Sequence, residues 1–387
     1  MRKIPSSGTP IFFSEIIKSL FLGIEGDFAK VLRQYFRTTD VFVTRNGTCA
    51  LYLILKVLKR LYPEKKTVIL PAYTAPVLKL PCDKAGLTVT LGDITLEDYG
   101  YDLKSLSRII DKDVMCIVSV ELFGIPPDIA GLKNFKVSVI DDAAQAMGSI
   151  YQGKMAGTRG AAGIVSFHRG KNLSTYSGGG LLSCSTEITE AIEKEIALLP
   201  SPPWQAELLA FMKVLAISHL PNPFLYGILE PFVRPLKSRS LHHSFACETQ
   251  TIFQQRLGAI LLQRVNRIMQ KRIENGNILY EGLKKVTGIN LHQRRKDVTI
   301  AYNQFPIVFE DPTKVDKVQK ALWKEGIETT RQYLKPMHHY FKLGYNVREF
   351  PIACKVAEGL LLFPTHYCVG KKDIERGIDI IRDALEG

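Results

Sequence analysis

Short β-branched runs alternate with stretches of helical length over the first 185 residues, and this alternation restricts the fold more than any other feature. The pattern is typical of a mainly parallel sheet that is covered by helices. We therefore predict an α/β architecture. The seven strand candidates are Val41–Val43, Thr67–Leu70, Thr88–Leu91, Met115–Val118, Val137–Ile140, Ile164–Phe167 and Leu181–Cys184.

The remainder of the chain predicts a smaller α+β unit. A long helical pattern runs from Thr249 to Leu283, and a strand at Gln304–Phe309 and a helix at Pro312–Glu325 follow it. A last helix is predicted from Lys371. We place a large domain over residues 1–245 and a small C-terminal domain over residues 246–387.

An apolar segment separates these two parts. A helix is predicted at Glu187–Leu199, and the window Trp204–Phe232 that follows is rich in Leu, Phe and Met but contains charges and prolines. It holds no uncharged run of the roughly 18 residues that a membrane span needs. Its apolar face indicates core or a subunit contact, whereas a following basic group keeps contact of residues 204–245 with a membrane surface open. That basic group is Arg234, Lys237 and Arg239.

The net charge and the cysteine pattern limit which partners and which cellular compartment we expect. The formal net charge is +13, which favours phosphorylated ligands, nucleic acid or an anionic membrane without choosing among them. The basic residues are spread over many segments with no recognition motif, so we expect no nucleic-acid partner. The 7 cysteines are odd in number, with no C-x-x-C pair and no zinc spacing. We therefore expect a cytoplasmic location and no metal, and the N-terminus is a poor signal peptide.

Three short segments carry candidate chemistry. Asn46-Gly47-Thr48 lies between a strand and the helix pattern Cys49–Leu61, where unpaired amides could hold a phosphate, although simple helix capping is the commoner use of such residues. Asp141 and Asp142 directly follow a strand, in the position that lines the ligand crevice of an open α/β sheet. Taken singly, each segment also has a purely structural explanation.

The third segment places a lysine in a loop of small residues. The run SFHRGKN, which ends in Lys171 and Asn172, follows a strand and precedes Gly178-Gly179-Gly180. A lone lysine is usually a surface charge. The order and spacing of the segments RNGTCAL, VILPAYT, DDAAQAMG and SFHRGKN, followed by GGG, closely resemble the DegT/DnrJ/EryC1/StrS family of pyridoxal-phosphate-dependent sugar aminotransferases.

The resemblance implies a fold and a role for each of these residues. The fold would be that of the fold type I pyridoxal-phosphate (PLP) enzymes, with a seven-stranded sheet. Lys171 would join covalently to the cofactor aldehyde and move the proton during catalysis. Asp142 would pair with the pyridine nitrogen, and Gln145 would lie beside the ring. The phosphate would rest on a cradle of Gly47, Thr48 and Ser166.

The chain also departs from the family pattern. Ala75 stands where many members have an aromatic residue that stacks on the cofactor, and Tyr73 is the candidate substitute. Gly178 stands where an acidic residue is common. The segment His243–Cys247 replaces the usual Asn and Arg that a partner subunit offers to the phosphate.

The substrate is less well defined by the sequence. By resemblance, Tyr333 and His338 would lie near a sugar or its diphosphate, and Arg331 would contact a charged group. The predicted reaction moves an amino group, from glutamate, to a keto group of a nucleotide-activated sugar, in a homodimer.

Several alternatives remain open. One is a transaminase acting on a non-sugar ketone, and another is a sugar dehydratase, although dehydratases of the family carry histidine in place of the lysine at 171. Outside catalysis, the chain could be a degenerate membrane-associated protein or a nucleic-acid-binding protein.

Overall fold

The computed structural model describes residues 2–21, 27–38, 40–233 and 243–386. The basic residues Arg234, Lys237 and Arg239 lie outside this described part. The strands are β1 Asp40–Thr44, β2 Thr67–Pro71, β3 Thr88–Gly92, β4 Val114–Val120, β5 Ser138–Asp142, β6 Ile150–Tyr151, β7 Lys154–Met155, β8 Ala162–Ser166, β9 Gly179–Ser183, β10 Ile289–Asn290, β11 Val298–Thr299, β12 Gln304–Phe309 and β13 Leu360–Pro364.

The helices cover both faces of the large sheet and fill the C-terminal part. They are α1 Phe13–Phe21, α2 Phe28–Phe36, α3 Gly47–Leu61, α4 Lys79–Lys84, α5 Leu103–Ser107, α6 Thr186–Ala197, α7 Trp204–Ile217, α8 Pro223–Val233, α9 Ile252–Leu262, α10 Val265–Leu283, α11 Thr313–Lys324, α12 Met337–Tyr340, α13 Pro351–Gly359 and α14 Lys371–Glu386. Within the described residues, no helix combines the length and the hydropathy needed to cross a bilayer.

The seven predicted strands form one sheet, as expected from the sequence. Its order is β1-β9-β8-β5-β4-β2-β3. All neighbouring pairs from β8 to β3 are parallel, whereas β9 runs antiparallel to both β8 and β1. The mainly parallel seven-stranded sheet is therefore confirmed. Strand β4 is buried along its whole length, which explains why its sequence is a continuous apolar run instead of an alternating one.

The C-terminal part is built around a smaller antiparallel sheet. Its strand order is β10-β12-β13, and α10, α11 and α14 pack beside it. The predicted α+β character of this part is confirmed. Helix α9 packs against α1, α2 and α7, so it contacts the N-terminal half of the chain. The domain boundary at residue 245 stays a prediction.

One helical prediction differs from the structure. The pattern Thr249–Leu283 forms two helices, because the Arg264 backbone leaves the helical region at φ −115° and ψ 13°. The Arg264 guanidinium forms a salt bridge with Glu15 at 2.5 Å and donates to the Pro10 carbonyl. The apolar window Trp204–Phe232, which contains prolines, forms α7 and most of α8, with Pro221 between them.

A buried ion cluster anchors the centre of the large sheet. The Arg159 guanidinium contacts Glu121 Oε1 at 2.5 Å and Asp141 Oδ1 at 3.1 Å, and it donates to the Pro127 carbonyl at 2.7 Å. Its side chain is buried, as are both carboxylates. Removing one partner of such a cluster leaves uncompensated charge in a medium of low polarity.

Arg159→Ala should therefore lower the free energy of unfolding by about 3–5 kcal/mol. Urea denaturation followed by circular dichroism measures this change. Arg348→Ala, at an exposed arginine, is the control and should change the stability by less than about 0.5 kcal/mol. Equal effects of the two substitutions would contradict the structural role of the cluster.

Candidate active site

The three predicted segments meet at one edge of the large sheet. Strands β5, β8 and β1 all end there, because β9 pairs antiparallel with both β8 and β1. Gly179, the first residue of β9, lies opposite Ser166 on one side and Thr44 on the other. A Cβ atom at Gly179 would lie 2.4 Å from the Gly47 nitrogen, so only glycine permits this close approach.

The predicted phosphate cradle lies at the start of α3. Asn46 caps this helix, with its Oδ1 accepting from the Cys49 amide at 2.8 Å. The following Gly47 lies against Ser166, since a Cβ built on Gly47 would be 3.5 Å from the Ser166 Cβ. Thr48 is half-buried in the same first turn. Helix-start amides beside two hydroxyls suit a phosphate dianion, which also interacts favourably with the positive end of the helix dipole.

A second segment of the same chain borders this cradle. The Asn46 side-chain amide donates to the Ala246 carbonyl at 3.1 Å, and the Arg45 amide donates to the Glu248 carbonyl at 2.9 Å. The Cys49 and Cys247 sulfur atoms are 2.7 Å apart. The segment that departs from the family pattern, His243–Cys247, is thus attached to the cradle of its own chain.

Two consecutive aspartates at the end of β5 have different surroundings. Asp141 accepts from the Gly157 and Arg159 amides at 2.9 and 3.1 Å, and it also pairs with the Arg159 side chain. Asp142 points to the opposite face, since side chains alternate along a strand. Its Oδ1 accepts from the Ala144 amide at 2.9 Å. Among the described residues, no cation lies within salt-bridge distance of the Asp142 carboxylate, so it is the carboxylate available to a ligand.

The Asp142 carboxylate and the Lys171 amine interact electrostatically. Desolvation raises the pKa of Asp142 to about 6, against the opposing effects of the Ala144 amide and the Lys171 charge. Desolvation also lowers the pKa of Lys171 to about 8, and the Asp142 charge opposes this shift. The structure therefore brings together the two residues on which the predicted chemistry depends.

Gln145 connects this pair to the C-terminal part of the chain. Its Oε1 accepts from the Phe123 amide at 3.1 Å, and its Nε2 donates to the Tyr333 hydroxyl at 3.1 Å. Burial, with the nearby Asp142 charge, raises the pKa of Tyr333. Tyr333, which we predicted as a substrate contact, is therefore placed beside Asp142 and Gln145.

The loop that carries Lys171 is held at several points. Gly170 has φ +86°, a conformation that glycine adopts without strain. Asn303 donates to the Gly170 carbonyl at 2.7 Å, and the Thr9 hydroxyl donates to the Lys171 carbonyl at 3.1 Å. Asn172 donates to the Met147 and Ala301 carbonyls. The backbone around the lysine is thus attached to three distant parts of the chain.

Sequence reasoning missed Thr9 and Asn303. Each holds the lysine loop from more than 100 positions away in the chain. The available signal was weak: Asn303 is a polar residue directly before the apolar strand β12, and Thr9 lies in a Ser/Gly/Pro-rich N-terminal segment. Neither pattern indicates a partner.

A cavity of about 370 Å³ borders Lys171. The N-terminal residues Ser6 to Thr9 line one side of it, and Ile217, Leu220, Pro221 and Tyr226 from the α7–α8 region line another. A larger open groove of about 880 Å³ lies elsewhere, and none of the predicted site residues lines it. Of the predicted site residues, Lys171 and Arg331 line the smaller cavity.

Tyr73 is held beside the site by burial and by a hydrogen bond. Its side chain is fully buried, and its hydroxyl donates to the Gln332 carbonyl at 2.6 Å. Its ring meets the Tyr333 ring edge-on, with centroids 5.8 Å apart. The aromatic residue that follows the threonine in many relatives is Ala75 here, and Ala75 is half-buried.

The other two predicted substrate residues lie in different surroundings. The Arg331 guanidinium donates to the Glu358 carbonyl at 2.5 Å and lies 3.5 Å from Asp316, while residue 331 also borders the Lys171 cavity. The His338 ring contacts Phe350, and its Nε2 lies 3.0 Å from the Val347 carbonyl. Arg331 shares the cavity with Lys171, whereas His338 does not line it, and the substrate roles of both residues stay predictions.

His338 also belongs to a small cluster of potential metal ligands. Ligand atoms of His338, His339 and Cys354 lie within 4.8 Å of one another. All three side chains hydrogen-bond the same carbonyl, that of Val347. The expectation that the enzyme uses no metal stays a prediction.

Comparison with known proteins identifies the family. The model of the DegT/DnrJ/EryC1/StrS aminotransferase family matches residues 24–199 and 251–382. The chain belongs to this family. The predicted enzyme class, a PLP-dependent aminotransferase, is thereby confirmed, as is the cofactor.

Individual relatives have low sequence identity to this chain, but they align with it over most of its length. A GDP-4-keto-6-deoxy-D-mannose 3-dehydratase of Yersinia pseudotuberculosis is 27% identical over 79% of this chain and 74% of its own. Spr1654 of Streptococcus pneumoniae, solved in its PLP form, superposes with a TM-score of 0.77 at 21% identity, covering 99% of both chains. Helicobacter pylori PseC, an aminotransferase involved in pseudoaminic acid biosynthesis, has a TM-score of 0.79 at 18% identity, covering 100% of both. These likenesses confirm the fold type I architecture.

The residues of the chain fit the cofactor of the family. A buried carboxylate that forms no salt bridge within the described residues suits a protonated pyridine nitrogen, and a lysine with a lowered pKa suits an aldehyde. A helix start beside Ser166 suits the phosphate. The individual assignments of Lys171, Asp142, Gln145, Gly47, Thr48 and Ser166 remain proposals.

The pKa of Lys171 predicts how the enzyme takes up its cofactor. Only the neutral amine attacks an aldehyde, so the rate of covalent loading should rise with pH and level off above about 8. Stopped-flow absorbance of apoenzyme mixed with PLP, between about pH 6 and about pH 10, measures it. Free lysine should show no plateau below about pH 10. A protein profile that matched free lysine would contradict the predicted shift.

Proposed function

We propose that the chain transfers an amino group, from glutamate, to a keto group of a nucleotide-activated sugar. The observation that carries this proposal is the placement of Lys171 and Asp142, which interact across the carboxyl edge of the sheet of a family aminotransferase.

The proposed roles follow from the charge state of each group. Bound PLP supplies an electron sink that makes a carbon–hydrogen bond of the amino substrate acidic. Asp142 holds a proton on the pyridine nitrogen, and its burial strengthens that ion pair. The Lys171 amine, whose pKa burial lowers to about 8, would remove the proton from the substrate carbon as the general base.

The surrounding residues orient the cofactor. Gly47, Thr48 and Ser166 hold the phosphate at the start of α3, which fixes one end of the molecule. Gln145 is itself oriented by the Phe123 amide, so its Nε2 has a set direction toward the Tyr333 hydroxyl. We propose that these contacts set the angle of the ring relative to Lys171.

The net charge of the chain and the name of one relative both support a nucleotide-activated sugar as the substrate. The net charge of +13 favours an anionic substrate such as a diphosphate. Arg169 is exposed and borders the Lys171 cavity, where it can contact such a group. The Yersinia relative carries a GDP-linked keto sugar in its name. Tyr333, His338 and Arg331 remain the proposed contacts to the sugar and its diphosphate.

We further propose a homodimer in the reducing cytoplasm. The resemblance supports the dimer, since family members build their active sites between two subunits. The cysteines support the compartment, because all seven are free thiols in the structure.

Dehydration is the alternative that a specific observation favours, since the Yersinia relative is a 3-dehydratase. The family's dehydratases replace the catalytic lysine by histidine, whereas this chain has Lys171. A lysine can bind the cofactor covalently, and it can bind it again after each transamination cycle. We therefore prefer transamination.

A panel of nucleotide-linked keto sugars tests the proposal. Enzyme in its pyridoxamine form should regain the absorbance of the aldehyde form with at least one member of the panel and yield an amino sugar, detected by mass spectrometry. Asp142→Asn should bind the cofactor but react about 100-fold or more slowly, since it removes a charge that acts at the reacting group. A deoxygenated keto product without nitrogen would instead establish the dehydratase.

A further inference from the structure

Three helices of the described chain expose apolar side chains in regular stripes. In α7 and α8 the exposed apolar residues recur about every four positions, and the buried residues lie on the opposite face. Helix α1 shows the same pattern. We call the combined surface the apolar platform. It comprises Phe12, Phe13, Ile17, Leu20, Phe21, Trp204, Leu208, Leu209, Met212, Phe224, Ile228 and Phe232.

The three helices are neighbours in the fold. Both α1 and α7 pack on α9 and contact each other. Phe211 of α7 meets Phe253 of α9 edge-on at 5.5 Å. Helix α8 follows after a short loop, and its position is held by the Lys3–Glu230 salt bridge at 2.8 Å. The stripes of α1 and α7 therefore adjoin each other, and α8 is joined to α7 by the five residues 218–222.

The carboxylates of these helices are directed away from the platform. Glu15 pairs with Arg264, and Glu230 pairs with Lys3. The Glu207 carboxylate accepts from the Ile252 and Phe253 amides at the start of α9. The lysines of the same helices, Lys18 and Lys213, are exposed. The platform is thus apolar with a positive border, which matches an anionic lipid surface and opposes a second copy of the same face.

The platform lies outside the residues that the family model matches, although Spr1654 and PseC superpose over 99% and 100% of this chain. The family model matches residues 24–199 and 251–382 and leaves out α1, α7 and α8. A group of apolar side chains with this much exposure marks an interaction site.

We propose that the apolar platform docks on the surface of an anionic lipid bilayer. Helices α7 and α8 have 14 and 11 residues and would lie in the plane of the interface, with Trp204 and the phenylalanines among the lipid headgroups. Residues of the same segment, Ile217, Leu220 and Pro221, line the Lys171 cavity. Docking therefore brings the active site close to the membrane surface. This proposal does not depend on the identity of the substrate.

Vesicle co-sedimentation tests the proposal with the full chain. The protein should sediment with vesicles of phosphatidylcholine and phosphatidylglycerol, and less with phosphatidylcholine alone. The double substitution Leu209→Glu/Ile228→Glu places charges at side chains that are 67% and 66% exposed, so folding should persist. It should reduce the partition coefficient about tenfold or more.

Val347→Glu is the matched control, because Val347 is an apolar residue of 69% exposure that lies away from the platform. It should bind vesicles as the unchanged protein does, and circular dichroism should show that both variants are folded. Absence of wild-type binding, or equal binding by the double variant, would overturn the proposal. So would sedimentation velocity in which the double variant turns a dimer into a monomer, since the platform would then be a subunit interface.

Discussion

The burial of Lys171 and Asp142 in a poorly solvated pocket is the constraint on which the site depends. Desolvation acts on the two groups in opposite directions, lowering the pKa of the lysine and raising that of the aspartate, while their mutual attraction opposes both shifts. The lysine consequently has a neutral form available near neutral pH, as a nucleophile and base requires. The carboxylate stays mostly ionised above its pKa of about 6, as an ion pair with a pyridinium requires.

Asp141 and Asp142 have different roles because consecutive side chains of a strand face opposite sides. Consecutive residues of β5 face opposite sides, so one aspartate can stabilise the sheet while its neighbour serves the ligand. Asp141 balances the charge of Arg159 and accepts two backbone amides. That cluster holds the end of β5. Because Asp142 is the next residue along the strand, the cluster also sets the position of the Asp142 carboxylate.

The parallel sheet could be predicted from the sequence, whereas the long-range contacts of single polar side chains could not. The strands are short β-branched runs between turn residues, and this local signal was sufficient. Arg159 gave no such signal, because it lies between a threonine and a glycine and resembles a surface residue. The break at Arg264 depends on Glu15 and Pro10, which are more than 200 positions away. Motif resemblance singled out Lys171 and Asp142, but the contacts of Arg331 with the Glu358 carbonyl and Asp316 depend on the tertiary fold.

The covalent link between Lys171 and the cofactor is the central claim, and reductive trapping measures it most directly. Holoenzyme treated with borohydride, digested and analysed by mass spectrometry should yield a single peptide that carries the reduced cofactor, with the modification at Lys171. Lys171→Ala should yield no modified peptide under the same conditions. Modification at another lysine, or an identical modified peptide pattern in Lys171→Ala, would contradict the account.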